Sequence, residues 1–252
     1  MDLEKLSEEL IQIAVDAGRA ILEIYKQEDL GVEVKSDNSP LTLADKASHE
    51  VIMKGLSKFD YPILSEEGKE MSYDERKDWE TYWCVDPLDG TKEFINRNGE
   101  FTVNIALISN KKPVLGVIYV PVKDVIYIGI DGVGAKKGEN GILDPINVEW
   151  KASDRVAVRS KSHANPAEEE ILEKYQVTDA MSVGSSLKFC MVAEGKADVY
   201  YRHGPTMEWD TAAGQAVVEA AGGTVYVGNT EDEEFKYNKE NLLNGSFLVL
   251  GK

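Results

Sequence analysis

Between Tyr61 and Asp131 the chain runs through YPILS, YWCV, FTVNIALIS, VLGVIYVP and DVIYIGID, strand-like segments in close succession that read as a hairpin-rich antiparallel set. Two helical patterns precede them. LEKLSEELIQIAVDAGRAILEIY repeats apolar side chains at helical period (Leu6, Leu10, Ile13, Ala14, Ala17, Ile21, Ile24), which predicts a long amphipathic helix. In SPLTLADKASHEVIMKGLSK a second helix is expected from about Thr42, which stands three residues ahead of Asp45 at capping-box spacing. After about residue 150 the character changes. The short apolar runs RVAVRS, AMSVG, ADVYYR and GTVYV alternate with the helical stretches NPAEEEILEKY, SSLKFCMVAEG and WDTAAGQAVVEAAGG, an α/β pattern. A mixed α/β chain in two domains, 1–150 and 151–252, is therefore expected. Its boundary falls near the polar loop GENGILDPINVEW, and the acidic NTEDEEFKYNKEN reads as a solvated loop.

Composition narrows the function. With 252 residues, 42% of them hydrophobic, the chain can fill a sizeable core. No apolar stretch approaches the roughly 20 residues that a membrane helix needs, so no transmembrane segment is expected. MDLEKLSEEL carries acids where a signal peptide would carry base. The cytoplasm is the expected compartment, with weak peripheral attachment to the inner membrane and oligomerisation left open. Cys84 and Cys190 both sit inside apolar runs and read as reduced core residues. The balance of 28 basic against 45 acidic residues, net -17, argues against a nucleic-acid polymer held on a basic face. A small phosphorylated ligand stays compatible if local basic groups or metal ions receive it.

Acids gather where these strands finish. YWCV ends in Asp86 and Asp89, which are split by Pro87 and Leu88 and followed by Gly90 and Thr91. YPILS ends at Ser65, followed by Glu66, Glu67 and Gly68. Asp45 lies in the first turn of its helix, and Asp210 directly precedes the small-residue helix of GPTMEWDTAAGQ. Each acid also has a plainer role. Asp-Gly and Pro87 punctuate a turn, Glu66 and Glu67 solvate a loop, Asp45 completes a capping box, and Asp210 makes a good N-cap. His49 reads as a helix-surface residue.

Taken together, SEE (65–67), DPLDGT (86–91) and WDTAAG (209–214), in this order, resemble the shared elements of the lithium-sensitive, magnesium-dependent phosphomonoesterases. That superfamily holds the inositol monophosphatases, fructose-1,6-bisphosphatases and 3'(2'),5'-bisphosphate nucleotidases. The resemblance spans nearly the whole chain. LSEE, VDPLDGTKEFINRNGEFTVNIALI and GSSLKFCMVAEGKADVY are similar to the CysQ group of nucleotidases. It implies a layered α/β/α/β/α sandwich that removes the 3'-phosphate of 3'-phosphoadenosine 5'-phosphate, giving AMP and phosphate, in the clearance of a by-product of sulfate activation. Two alternatives remain: an inositol monophosphatase or fructose-1,6-bisphosphatase using the same metal site, and a metal-dependent phosphate-ligand sensor without turnover.

The chemistry explains the residue types. Two carboxylates about 4 Å apart repel by roughly 4 kcal/mol at an effective dielectric of about 20, so such a cluster must be neutralised. Oxygen-only ligands without His or Cys favour a hard ion such as Mg²⁺. By resemblance, Asp86 bridges two Mg²⁺ ions, Glu66 and the Leu88 carbonyl complete the first, and Asp89 with Asp210 bind the second. A third, weaker ion is implied near Glu66 and Asp45. Asp45 and Thr91 are the implied catalytic pair that orients and deprotonates the attacking water, without a covalent enzyme intermediate. Gly90 and Thr91 are expected to open a short helix beside the phosphate. The resemblance carries nucleotide binding over to His163, Ser185, Lys188 and Arg202, with Lys188 and Arg202 facing the second phosphate.

Overall fold

The computed structural model describes residues 2–35, 40–159 and 166–252. In chain order the elements begin with helix α1 (Leu3–Tyr25), strands β1 (Glu33–Val34) and β2 (Pro40–Leu41), helix α2 (Leu43–Leu56) and strand β3 (Ile63–Ser65). Next come the one-turn helix α3 (Tyr73–Arg76), strand β4 (Thr81–Asp89) and the short helix α4 (Thr91–Ile95). A meander follows: β5 (Thr102–Ser109), β6 (Lys112–Val120), β7 (Val125–Ile130), β8 (Gly134–Glu139) and β9 (Ile142–Ile146). Beyond it lie β10 (Arg155–Arg159), α5 (Pro166–Lys174), β11 (Val177–Ser182), α6 (Leu187–Ala193), β12 (Val199–Arg202) and β13 (Thr206–Met207). The chain closes with α7 (Glu208–Ala220), β14 (Thr224–Val227), β15 (Leu243–Asn244) and β16 (Phe247–Leu250).

Strands β3 to β9 form one sheet in sequence order, antiparallel except for the parallel β3–β4 pair. The second sheet has the order β11-β10-β12-β16-β14, with β10 parallel to both of its neighbours. The period of two along the central strands serves two cores at once. From β4 and β5, Trp83, Val85, Val103, Ile105 and Leu107 pack with Leu10, Ala14, Ala17 and Ile21 of α1 and with Ala44 and Ile52 of α2. Their alternates Tyr82, Cys84, Ala106 and Ile108 face the other way, onto Phe189 and Cys190 of α6 and Ala213 and Val217 of α7. That inner core also takes Val158, Tyr200, Val225 and Val249 of the second sheet, and the far side of this sheet packs on Ile171 of α5. The layers are thus α/β/α/β/α. Cys84 and Cys190 are buried free thiols, as expected. Among the described residues, no helix is long and apolar enough to cross a membrane.

Helix α7 lies unusually close to the large sheet. Gly116 and Gly129 are directly paired in β6 and β7, and a Cβ on Gly129 would stand 2.3 Å from the Ala216 carbonyl oxygen. Small residues on both sides, glycines in the strands and alanines in the helix, allow this approach, which sets the height at which the first turn of α7 meets the end of β4.

Two segments expected as loops fold differently. GENGILDPINVEW contains β9, an edge strand exposed along most of its length. A strand with little buried surface shows no alternation, and Pro145 is tolerated because the edge leaves its outer side unpaired. NTEDEEFKYNKEN is exposed throughout its acidic first half, but Phe235, Tyr237 and Asn238 of its second half are buried. The Tyr237 hydroxyl donates to Gln215 Oε1 at 2.9 Å and lies 3.1 Å from Thr211 Oγ1, which clamps the segment to α7.

Candidate active site

Strand β4 builds the centre of the site by breaking its own register. Asp86 pairs with Asn104 and Asp89 with Thr102, so three steps on β4 match two on β5. In a regular strand, residues three apart point to opposite faces; the bulge at Pro87 and Leu88 restores both aspartates to one face. Asp86 Oδ1 accepts from the Leu88 N–H at 3.0 Å, and Ser48 Oγ of α2 donates to the Pro87 carbonyl at 2.7 Å, which fixes the bulge. Parallel pairing with β3 carries Glu66 alongside, its own N–H donating to the Val85 carbonyl at 3.1 Å.

Helix α7 brings the third acid. Asp210 lies inside the first turn, not at the N-cap position, which Met207 occupies; Asp210 Oδ2 accepts from the Met207 N–H at 2.9 Å. The helix start is anchored through buried Glu208, whose carboxylate accepts from the Asn238 and Lys239 main-chain N–H groups at 2.9 and 3.0 Å. Arg76, buried in α3, donates to Asn238 Oδ1 at 2.9 Å. None of these supporting residues was singled out from sequence.

Carboxylate oxygens of Glu66, Asp86 and Asp210 lie within 4.8 Å of one another. Burial pushes the Asp86 carboxyl well above the usual carboxylate range, and the charges of Glu66, Asp89 and Asp210 push the same way. Asp210 is raised for the same reasons, burial first and Asp89 next. Glu66 is raised by burial against the pull of Lys35. Three crowded acids that resist ionisation together are what a divalent cation would relieve, and the all-oxygen donor set suits a hard ion. Lys35, not anticipated from the sequence, donates from Nζ to Glu66 Oε1 at 2.7 Å and also pairs with Glu67. Both acids hold the Lys35 ammonium above its ordinary value although burial acts to lower it.

Asp89 stands apart from the three. Its Oδ2 accepts from the Ser186 N–H at 2.6 Å, Ser186 Oγ at 2.8 Å and Asn104 Nδ2 at 3.4 Å. Asp45 completes the capping box and also reaches Thr91. Its Oδ2 accepts from the Thr42 N–H at 2.7 Å in the capping box, while Oδ1 accepts from Thr91 Oγ1 at 3.3 Å. Burial raises the Asp45 carboxyl against the hydrogen bonds from Thr42. Thr91 Oγ1 is also 3.5 Å from the Leu88 carbonyl. Gly90 precedes α4 with φ of 92°, and a Cβ there would lie 3.2 Å from Ser185 Cβ. His49 is half-buried rather than on the surface, with Nδ1 3.0 Å from Ser65 Oγ, because α2 turns this side chain toward the end of β3.

The cleft beside the acids is lined by Asp89, Gly90, Lys92, Ser185, Lys188 and Arg202, among others. Ser185 Oγ and Arg202 Nε are buried there with no hydrogen-bond partner among the described residues. Lys188 lines the same cleft, but its Nζ donates to the Ser185 carbonyl at 2.7 Å, and burial pushes its pKa down to about 8. His163 lies outside the described residues.

A profile of the inositol monophosphatase family matches residues 2–249. The chain belongs to the inositol monophosphatase family. Within the family it is 48% identical over 246 residues to the 3'(2'),5'-bisphosphate nucleotidase CysQ of Escherichia coli K12, covering 96% of this chain and 98% of that protein. A CysQ structure from Bacteroides thetaiotaomicron, a bacterial member of the family, superposes with a TM-score of 0.88 at 46% identity, covering 100% of this chain and 98% of that one. An inositol monophosphatase from Anabaena superposes with a TM-score of 0.75 at 26% identity, covering 99% and 91%.

Proposed function

We propose that this chain is a 3'(2'),5'-bisphosphate nucleotidase that hydrolyses the 3'-phosphate of adenosine 3',5'-bisphosphate to give AMP and phosphate, a cytoplasmic step that clears a by-product of sulfate activation. The observation that carries this reading is the pair of unsatisfied donors, Ser185 Oγ and Arg202 Nε, in the cleft next to the acid cluster. A buried polar group without a partner is costly, and an anionic ligand oxygen would satisfy both. A substrate with two phosphates has such a group to offer while the other is cleaved.

Mg²⁺ is the proposed cofactor, as two to three ions. Asp86 would be shared, with Glu66 and the Leu88 carbonyl on one side and Asp89 with Asp210 on the other, and a further position would lie near Glu66 and Asp45. Bound there, the metal supplies the positive charge that phosphoryl transfer to water needs. Inhibition by lithium belongs to the same reading.

The protein's own groups do the rest. The Thr91 hydroxyl donates to Asp45 Oδ1, which leaves its lone pairs to accept from an attacking water, and the proton passes through Thr91 to Asp45. The raised Asp45 carboxyl suits it to hold that proton. Gly90 leaves room for a phosphate to approach the main-chain N–H groups at the start of α4. Ser185, Lys188 and Arg202, with His163, receive the nucleotide and the phosphate that is not cleaved.

The test is phosphate release from adenosine 3',5'-bisphosphate with Mg²⁺ present, the nucleotide product being identified. AMP is expected. Adenosine 3'-phosphate as product, or no release, would overturn the proposal.

A further inference from the structure

One buried hydroxyl joins two of the acids to the turn that lines the cleft. Ser186 Oγ is 2.8 Å from Asp89 Oδ2 and 3.1 Å from the Asp210 carbonyl oxygen, and it accepts from Asn104 Nδ2 at 2.9 Å. Asn104 is itself fixed, its Oδ1 accepting from Thr102 Oγ1 at 3.0 Å. The chain of donors therefore runs from Thr102 through Asn104 to Ser186 and ends on Asp89. Ser186 and Asn104 are both about 1% exposed, so water does not substitute for either group.

The consequence falls on Asp89. Its Oδ2 takes three donors, more than a carboxylate oxygen ordinarily meets, so this oxygen is committed to the protein and Oδ1 is left for another partner. A carboxylate free to rotate would offer either oxygen. This one is held in a single orientation by groups that come from β5 and from the turn before α6. The same hydroxyl reaches the main chain of Asp210, so the two aspartates assigned to one cation are tied to a common point.

We propose that Ser186 is a positioning residue for the cation site, acting through Asp89, with Asn104 as its support. The inference rests on the metal assignment made above. Groups behind a ligating side chain commonly contribute about 10 to 100-fold in metal affinity, because they fix the orientation that the ligand would otherwise lose entropy to adopt.

The experiment is Mn²⁺ binding, by titration calorimetry, to substrate-free parent, Ser186→Ala, Asn104→Ala and the double variant, with the melting temperature of each measured without metal. Ser186→Ala should weaken the tightest Mn²⁺ association by about 10-fold or more. Asn104→Ala should weaken it in the same direction, and the double variant should lose less than the sum of the two, because both act through one carboxylate. Unchanged Mn²⁺ affinity in Ser186→Ala would overturn the positioning role, whatever its melting temperature. Fully additive losses would overturn the relay through Asn104. A parent that binds no Mn²⁺ would overturn both this inference and the metal assignment beneath it.

Discussion

Thr91 shows how one residue carries two readings. It starts a short helix, which any small polar residue could do, yet its hydroxyl points at the buried Asp45 carboxylate. If the second role is the functional one, Thr91→Ala should lower kcat by about 10² to 10⁴-fold with little change in KM, whereas Thr91→Ser should retain much of the rate. An unchanged kcat in the alanine variant would leave Thr91 as a helix start only. Away from the cleft, Glu219 is pushed up to about 7 by burial, with Gln215 Nε2 donating to it at 2.6 Å. A carboxyl raised in the folded state contributes stability that is fully present below its unfolded value near 4.5 and is lost as pH rises to about 7. Glu219→Gln should therefore raise the melting temperature at pH 8 relative to the parent, and the gain should disappear at about pH 4. An equal effect at both pH values would contradict the assignment. The placing of Asp86 and Asp89 together at one strand end was readable in advance from the apolar run that precedes them. Lys35 was not, because an isolated lysine in EVKSDNS looks like any solvated loop residue until the fold brings Glu66 to it.

Helix α7 is the element on which the site depends. Its seat on Gly116 and Gly129 fixes where Asp210 stands, so a side chain added to the strand should act on both stability and the site. In Gly129→Ala the new Cβ would meet main-chain atoms of Ala216 and Val217, which cannot swing aside as a side chain can. A cost of about 1–3 kcal/mol is expected, with a fall of several degrees in melting temperature and a loss of activity through Asp210. A variant with the parent's melting temperature and rate would show that the helix does not depend on this contact. At this scale the sequence was readable wherever an element had one clear period. The face of α1 and the meander from β4 to β7 appeared directly in their apolar spacing. The edge strand β9 and the buried half of 229–241 did not. The first lacks a buried face, and the second is held by partners such as Arg76, 162 residues from Asn238, which no local pattern reveals.

Across the whole molecule, a net charge of -17 is combined with a cleft that collects Lys92, Lys188 and Arg202. Asp89, Glu93 and Asp210 line the same cleft, so an anionic substrate would depend on a bound divalent cation to offset these acids as well as on the three basic side chains. The layered order places the ends of β3 and β4, the first turn of α2 and the first turn of α7 at one point, and the turn before α6 beside it. On the proposed function, this cleft holds a phosphate that is not cleaved. Charge-assisted hydrogen bonds contribute about 1.5 to 3 kcal/mol each, so Arg202→Ala should cost roughly 10 to 150-fold in kcat/KM for adenosine 3',5'-bisphosphate. The decisive measurement is kcat/KM for this substrate and for inositol 1-phosphate, in the parent and in Arg202→Ala, at saturating Mg²⁺. The parent is expected to prefer the bisphosphate, and the loss in the variant to be confined to it. Equal losses on both substrates, or a parent that prefers inositol 1-phosphate, would contradict the proposed function.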